Sequence, residues 1–194
     1  MKSKKYFLLT ITVIFIIFIG CKKNDQMSVT ALKIRLIDEQ GNSLTGATIK
    51  LYESLADMQN QENQLGTTQI SDANGEVTFS NLAAITYYWL AEKGCQNNIN
   101  GITTTEVLEL NKTRLVTSTL SDTGTLKLTN QSGDQYQVFV NEYLLLTADG
   151  GYFYSYIYVP AGSYSIRVLQ VGGTVNKSYT GTITCGSTLT VTFP

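Results

Sequence analysis

The chain has 194 residues, of which 43% are hydrophobic and 15% are charged, a composition that permits a packed core and excludes global disorder. Its formal net charge is −1, so it offers no electrostatic field for nucleic acid. It contains no histidine, which removes the commonest general base and the commonest transition-metal ligand. Sixteen glycines and two prolines separate runs of β-branched residues, a composition typical of a sheet protein.

The N-terminus has the pattern of an export signal. Three of the first five residues are lysines, and the apolar segment 6–19 follows, interrupted only by Thr10 and Thr12. A basic start and a short apolar segment are typical of a signal peptide. The segment is shorter than the ~20 apolar residues that a transmembrane helix needs. Residues 1–20 are therefore predicted to be a signal peptide, with an uncleaved N-terminal anchor as the alternative.

The end of the apolar segment, Phe18-Ile19-Gly20-Cys21, resembles a bacterial lipobox. Ile19 and Phe18 depart from the usual small residue and leucine at those two positions. The resemblance implies diacylglyceryl transfer to the Cys21 thiol, cleavage after Gly20 and N-acylation of Cys21. Several acyl chains anchor a protein stably where one does not. Residues 21–28 are predicted to be the lipidated tether.

The first mature residues indicate which membrane carries the anchor. The sequence CKKND at 21–25 resembles the charged start of Bacteroidetes-type lipoproteins. This resemblance implies a lipid-anchored protein of the outer membrane that is exposed at the cell surface. One alternative is that the protein is anchored in the inner leaflet of the outer membrane. Another interpretation is that these charged residues only keep the tether solvated.

Residues 29–120 are predicted to form a first β-sandwich. Apolar and polar residues alternate along two segments, which predicts half-buried strands; the inward residues are Leu32, Ile34 and Leu36, then Ala47, Ile49 and Leu51. The polar segment 54–64 is predicted to form one or two helical turns with Ser54 as N-cap. Two strands around Asp72-Ala73-Asn74-Gly75 are predicted to form a hairpin, and further strands are predicted at 86–94 and within 102–120.

This order of elements resembles the carboxypeptidase regulatory-like, transthyretin-like sandwich. The residues that carry the resemblance are Asp38 with Gly41, Gly46-Ala47, the sequence DANGEVTF at 72–79, Leu82 and Tyr87-Tyr88. The family implies a non-catalytic stalk, spacer or binding unit.

A related pattern is the adhesin domain closed by a Lys–Asn isopeptide bond. Glu92 occupies the position of the catalytic acid in that pattern, but Leu36 stands where the lysine should be. Without the amine the bond cannot form, so this chemistry is not expected.

Residues 121–194 are predicted to form a second small antiparallel β-sandwich in tandem with the first. Six strands are predicted, at 124–130, 135–141, 151–159, 163–171, 178–184 and 187–193. The sequence VPAGSYSIRVLQ at 159–170 resembles the hairpin of PEGA-type surface modules.

The sequence YFYSYIY at 152–158 suggests a binding face. Strand alternation places Tyr152, Tyr154, Tyr156 and Tyr158 on one side. If Phe153, Ile157 and Val159 point inward, the tyrosines line an outer face suited to a sugar or a protein partner. The alternative is a sheet stabilised by aromatic pairs without a ligand.

Cys95 and Cys185 remain once Cys21 is lipidated. An even pair in an exported protein can form a disulfide, although the two residues lie in different predicted sandwiches. The alternative is two buried free thiols.

No pattern in the chain predicts catalytic residues, a metal site or a cofactor. The sequence lacks a G-x-S-x-G elbow, a glycine-rich phosphate loop and the acidic spacing of a calcium loop. The leading hypothesis is a non-enzymatic, lipid-anchored binding or spacer protein whose partner is an envelope protein or a glycan. The alternatives are a glycan- or substrate-binding accessory lipoprotein of a nutrient-uptake system and a small carbohydrate-active hydrolase.

Overall fold

The computed structural model describes residues 29–101 and 103–194. The predicted signal peptide, Cys21 and the tether lie outside these described residues. Within them the chain is nearly all β-structure, with one short helix, α1 (Leu55–Asn60). No helix in these two ranges is long and apolar enough to cross a membrane.

The described residues form fourteen strands, which we divide between a first unit (29–120) and a second unit (121–194). The first unit contains β1 (Ala31–Ile37), β2 (Thr48–Tyr52), β3 (Leu65–Ile70), β4 (Glu76–Ser80), β5 (Tyr88–Lys93), β6 (Gln96–Asn97) and β7 (Thr113–Thr119). The second unit contains β8 (Ser121–Asn130), β9 (Tyr136–Val140), β10 (Tyr143–Ala148), β11 (Phe153–Pro160), β12 (Gly162–Gln170), β13 (Asn176–Ile183) and β14 (Thr188–Phe193).

The first unit is a sandwich. One sheet has the strand order β4-β1-β7, and the facing layer contains β3, β2, β5 and β6. Inward side chains from both layers form one buried cluster, which includes Leu32, Ile34 and Leu36 of β1, Ile49 and Leu51 of β2, and Trp89 of β5. The alternation predicted for β1 and β2 is therefore confirmed.

The second unit is also a sandwich with its own core. The sheet β10-β9-β12-β13 faces β11, β8 and β14. The buried cluster between them includes Leu128, Val138, Ile166, Val168, Val191 and Phe193. The prediction of an all-β protein built from β-sandwich modules is confirmed.

One sheet joins the two units. Strand β8 pairs with β6 of the first unit at Ser121 and Asp122. Its later residues pair with β11 on one side, antiparallel, and with β14 on the other, parallel. The seven-stranded sheet thus runs through both sandwiches, so β8 is shared structure and not a flexible linker.

The turn at residues 72–75 connects two sheets, so the predicted hairpin is wrong. Strand β3 pairs with β2, whereas β4 pairs with β1 of the opposite sheet. Ser71 fixes the place after β3 where the chain leaves one sheet for the other. Its buried hydroxyl donates to the Leu44 carbonyl at 2.5 Å and accepts from Ala47 N–H at 2.9 Å. Gly75 has a φ of +74°, and a Cβ there would lie 2.5 Å from the Leu36 carbonyl oxygen.

The chain also changes sheets between β11 and β12, so the predicted hairpin at 159–170 is wrong too. Strand β11 pairs with β8, whereas β12 pairs with β9 and β13. Strand β10 is absent from the predicted strands, because its sequence YLLLTA has four successive apolar residues and no alternation of apolar and polar residues.

The predicted helical turns are present as α1. The Ser54 hydroxyl accepts a hydrogen bond from Asp57 N–H at 3.0 Å, which confirms Ser54 as the N-cap. The helix covers a small buried cluster of Tyr52, Met58 and Leu90 on the outer face of the seven-stranded sheet.

Candidate functional site: the junction between the two units

Polar side chains link the two units around the first residues of β8. Gln96 Nε2 donates to the Asp122 carboxylate at 2.8 Å, and Asn97 Nδ2 donates to the Thr123 hydroxyl at 2.8 Å. Asn97 and Thr123 are both buried. Because buried polar groups are costly when unpaired, these bonds fix the register between the units.

A tyrosine of the second unit reaches an acid of the first. The Tyr158 hydroxyl donates to Glu92 Oε1 at 2.9 Å, and Gln61 Nε2 lies 3.5 Å from the same hydroxyl. Asn100 Nδ2 donates to the Tyr158 carbonyl at 3.4 Å. Burial, the hydrogen bond to Glu92 and the charge of that carboxylate raise the pKa of Tyr158 above its usual value.

Tyr52 belongs to the same region. Its side chain is fully buried, and its hydroxyl has no hydrogen-bond partner among the described residues. Burial, followed by the charge of Glu92, raises its pKa. The charge of Glu92 thus helps to raise the pKa of one tyrosine in each unit, Tyr52 in the first and Tyr158 in the second.

A shallow cleft of about 280 Å³ lies at this junction. Its lining includes Glu92, Asn97, Thr123, Ile157 and Tyr158. Glu92 is the one carboxylate among the lining residues, so the cleft does not bring together the two acids that a glycosidase requires.

The structure corrects the predicted tyrosine face. Tyr154 and Tyr156 pack against the core of the second unit, whereas Phe153 and Ile157 are 77% and 63% exposed. Tyr152 precedes the strand and is also exposed. The premise that Phe153 and Ile157 point inward is therefore wrong, and the four tyrosines do not line one outer face.

The physical reason lies in the hydroxyl groups and in a bulge. A half-buried tyrosine can pack its ring on the core while its hydroxyl reaches a polar partner, as Tyr154 does in accepting from Asp149 N–H at 3.0 Å. The ladder shifts register between Tyr156 and Val159, and Tyr158 has a φ of +58°. Strict alternation fails there, and Tyr158 turns toward Glu92.

Cys95 and Cys185 meet at the junction. Their sulfur atoms are in bonding contact and their Cα atoms are 5.4 Å apart, with 90 residues of sequence separation. This Cα distance suits a disulfide. Asp122 is the third potential metal-ligating group nearby, but sulfurs bonded to each other cannot also act as thiolate ligands. Cys21 lies outside the described residues.

At position 36, where an isopeptide bond would need a lysine, the chain has a leucine. Leu36 of β1 stands opposite Ser118 of β7 in the parallel ladder, and both are fully buried. Neither supplies the amine or the amide that the bond needs. Glu92 is instead the acceptor for Tyr158.

At the far end of the second unit, Asn130 ties together two loops that the sequence did not single out. Its side chain is buried, and its Nδ2 donates to the carbonyls of Asp134, Ala148 and Asp149 at 2.7, 3.2 and 3.0 Å. Its Oδ1 accepts from Ser132 N–H at 3.1 Å. One amide thus fixes the loops that follow β8 and β10.

We predict that Tyr158→Phe lowers the free energy of unfolding by about 1 kcal/mol, since it removes a hydrogen bond to a half-buried carboxylate. Urea unfolding followed by circular dichroism measures this loss. Tyr152→Phe is the matched control, because Tyr152 is exposed and should change stability by less than about 0.5 kcal/mol. In a double-mutant cycle with Glu92→Gln, additive effects would show that the two side chains do not interact.

A known protein family is similar to the first sandwich. The family model of the SpaA prealbumin-like fold domain matches residues 30–123. The first unit is similar to that domain over these residues. No curated protein matches the chain.

Three solved structures are similar over most of the chain. The TIE protein of Bacillus anthracis is 14% identical over 86% of this chain and 34% of its own, with a TM-score of 0.36. A streptococcal ancillary pilin is 19% identical over 87% and 63%, with a TM-score of 0.40. The minor pilin GBS52 of Streptococcus agalactiae is 16% identical over 84% and 94%, with a TM-score of 0.37. The chain thus spans about a third of the first protein and under two thirds of the second.

Proposed function

We propose that this protein is a non-enzymatic, lipid-anchored spacer or binding protein at the outer face of a bacterial outer membrane. In this proposal, residues 1–20 are a cleaved lipoprotein signal, Cys21 carries the lipid, and 21–28 form the tether. The regions 29–120 and 121–194 are two tandem sandwich modules, of which the first is transthyretin-like. Their separate buried cores support this division. The partner would be an envelope protein or a glycan.

The observation that carries the proposal is the direction in which β1 runs along β7. Ala31 N–H donates to the Lys112 carbonyl, which precedes β7, whereas Leu120 N–H donates to the Ile37 carbonyl at the other end of β1. Leu120 leads directly into β8 at the junction. Residue 29 therefore lies at the end of the first unit that is remote from the second.

This geometry suits a protein that stands away from a membrane. A tether that ends at residue 28 would hold the first unit nearest the lipid and the second unit farthest from it. Strand β8 runs outward from the junction to Asn130, where the fixed loops at 131–135 and 149–152 would face the surroundings. This arrangement supports the proposed role as a spacer or binding protein.

Protease shaving of intact cells tests the proposal. We expect protease added to intact cells to remove the second unit, detected by an epitope tag after Pro194, while a periplasmic control protein stays intact. Digestion only after the outer membrane is permeabilised would contradict surface exposure. Binding of the purified protein to a glycan array would favour the uptake accessory over a pure spacer.

A further inference from the structure

Three segments meet at the end of the first unit that is remote from the second. We call them the base, and they are residues 29–30, 81–87 and 105–112. Thr30 joins all three, because its carbonyl accepts from Leu82 N–H at 3.1 Å and its hydroxyl accepts from Asn111 N–H at 2.9 Å. The other two segments also meet directly, since the Ile85 carbonyl accepts from Leu108 N–H at 3.1 Å. Hydrogen bonds thus hold the base together as one surface.

Each segment of the base exposes aliphatic side chains. They are Val29, Ile85, Val107 and Leu110, of which the last two are the most exposed, at 65% and 69%. Exposed apolar side chains that gather in one place mark a contact with a protein or a membrane. The base therefore has the composition of a contact surface.

The charges of the base do not oppose contact with an anionic membrane. Glu109 forms an ion pair with Lys112, and Glu106 forms one with Arg114 at 3.3 Å. Residues 81–87 contain no charged side chain. Anionic lipids give a membrane a negative surface potential, which would repel acids that lack a basic partner. Each acid of the base has such a partner.

The predicted tether would keep the base close to the membrane. The chain advances eight residues from Cys21 to Val29. An extended chain spans at most about 3.6 Å per residue, so the lipid on Cys21 would lie within roughly 29 Å of the base. A short linker of this kind gives an effective concentration of about millimolar. A weak apolar contact is then sufficient to hold the base on the lipid.

We propose that the base is a membrane-contact surface. Its four exposed aliphatic side chains enter the headgroup region of the lipid layer that carries Cys21, as the apolar faces of interfacial anchors do. This contact holds the first unit on the membrane and directs β8 away from it, toward the loops at 131–135 and 149–152. A tether alone would leave the orientation of the protein free. The inference rests on the proposed lipidation of Cys21, which places the membrane beside the base.

Quenching of tryptophan fluorescence by brominated lipids tests the contact. The sample is residues 21–194 with Cys21→Ser, held on vesicles by an N-terminal histidine tag and nickel-chelating lipids. Leu110→Trp places a reporter in the base, and Leu144→Trp places a matched reporter on the second unit, where Leu144 is 54% exposed. We expect brominated chains to lower the Leu110→Trp signal by roughly half, relative to vesicles without bromine. The signals of Leu144→Trp and of the buried Trp89 should not change.

Serine substitutions separate the base from the introduced tryptophan. Added to Leu110→Trp, the pair Ile85→Ser and Val107→Ser should remove most of the quenching. Equal quenching with and without this pair would overturn the proposal, as would equal quenching of Leu110→Trp and Leu144→Trp. If Leu110→Trp does not fold, Val107→Trp is the second reporter, with Ile85→Ser as its serine variant. The nickel-chelating lipids supply the anchor, so failure of this contact is distinguishable from a failure of Cys21 to carry lipid in cells.

Discussion

The substitution Leu128→Ala, in the core of the second unit, should destabilise the first unit as well. Leu128 is fully buried, and removing a buried leucine side chain typically costs 2–5 kcal/mol; we expect about 3 kcal/mol. Leu128 lies on β8, which belongs to the sheet that both units share. The loss should therefore spread across the junction instead of staying in the second core.

The fluorescence of a single tryptophan can report whether the first unit is destabilised. It contains one tryptophan, Trp89, which is fully buried in the core of the first unit. We expect the urea midpoint measured by Trp89 fluorescence to fall in Leu128→Ala and to coincide with the midpoint measured by far-ultraviolet circular dichroism, as in a two-state transition.

The matched control is Leu144→Ala in the same unit. Leu144 is 54% exposed, so its truncation should change stability by less than about 0.5 kcal/mol. If the Trp89 transition of Leu128→Ala stays at its original midpoint while the dichroism signal splits into two steps, the units unfold independently and the shared sheet does not couple them.

The substitution Asn130→Ala should cost about 3 kcal/mol and should loosen the outer end of the second unit. It removes the buried donor shared by the carbonyls of Asp134, Ala148 and Asp149, and a buried polar group left without a partner costs about 1–3 kcal/mol. Hydrogen exchange should show faster exchange of the amides in loops 131–135 and 149–152. Asn176→Ala is the control, because Asn176 is exposed.

A second substitution at the same position separates lost packing from lost hydrogen bonding. Asn130→Asp keeps the shape of the side chain, but an ionised carboxylate would face three carbonyl oxygens. Its folded-state pKa should be raised, so the variant should be most stable below the unfolded-state value of about 3.9 and should lose stability as the pH rises. If Asn130→Asp is as stable as the parent protein at neutral pH, the amide does not hold these loops.

The strands β1 and β2 could be predicted because apolar and polar residues alternate along them. The buried residues of β1 and β2 follow a period of two, and burial on one face is what that period reports. The sequence predicts the turn at 72–75 correctly, but it does not predict the partners of the strands on either side. A turn signal specifies where the chain reverses, and it does not specify whether the next strand joins the same sheet or the facing one.

The junction could not be predicted from sequence, because its contacts are far apart in the chain. Glu92 and Tyr158 are separated by 66 residues, and their contact depends on a local break in alternation at Tyr158. The outward tyrosine face is wrong for another reason: alternation places Tyr154 and Tyr156 on one face, but it does not specify that this face packs on the core. The cysteine count of the sequence identifies the pair, whereas the position of the pair beside Thr123 depends on the packing of two turns against β8.

Lipidation of Cys21 is the claim on which the proposed role depends most. Growing cells with an alkyne analogue of palmitate, followed by capture of the tagged protein, measures it directly, with Cys21→Ala as the comparison. The account predicts that the parent protein incorporates the label and fractionates with the outer membrane, whereas Cys21→Ala does neither. Equal labelling of both proteins, or no labelling of the parent protein, would contradict the account.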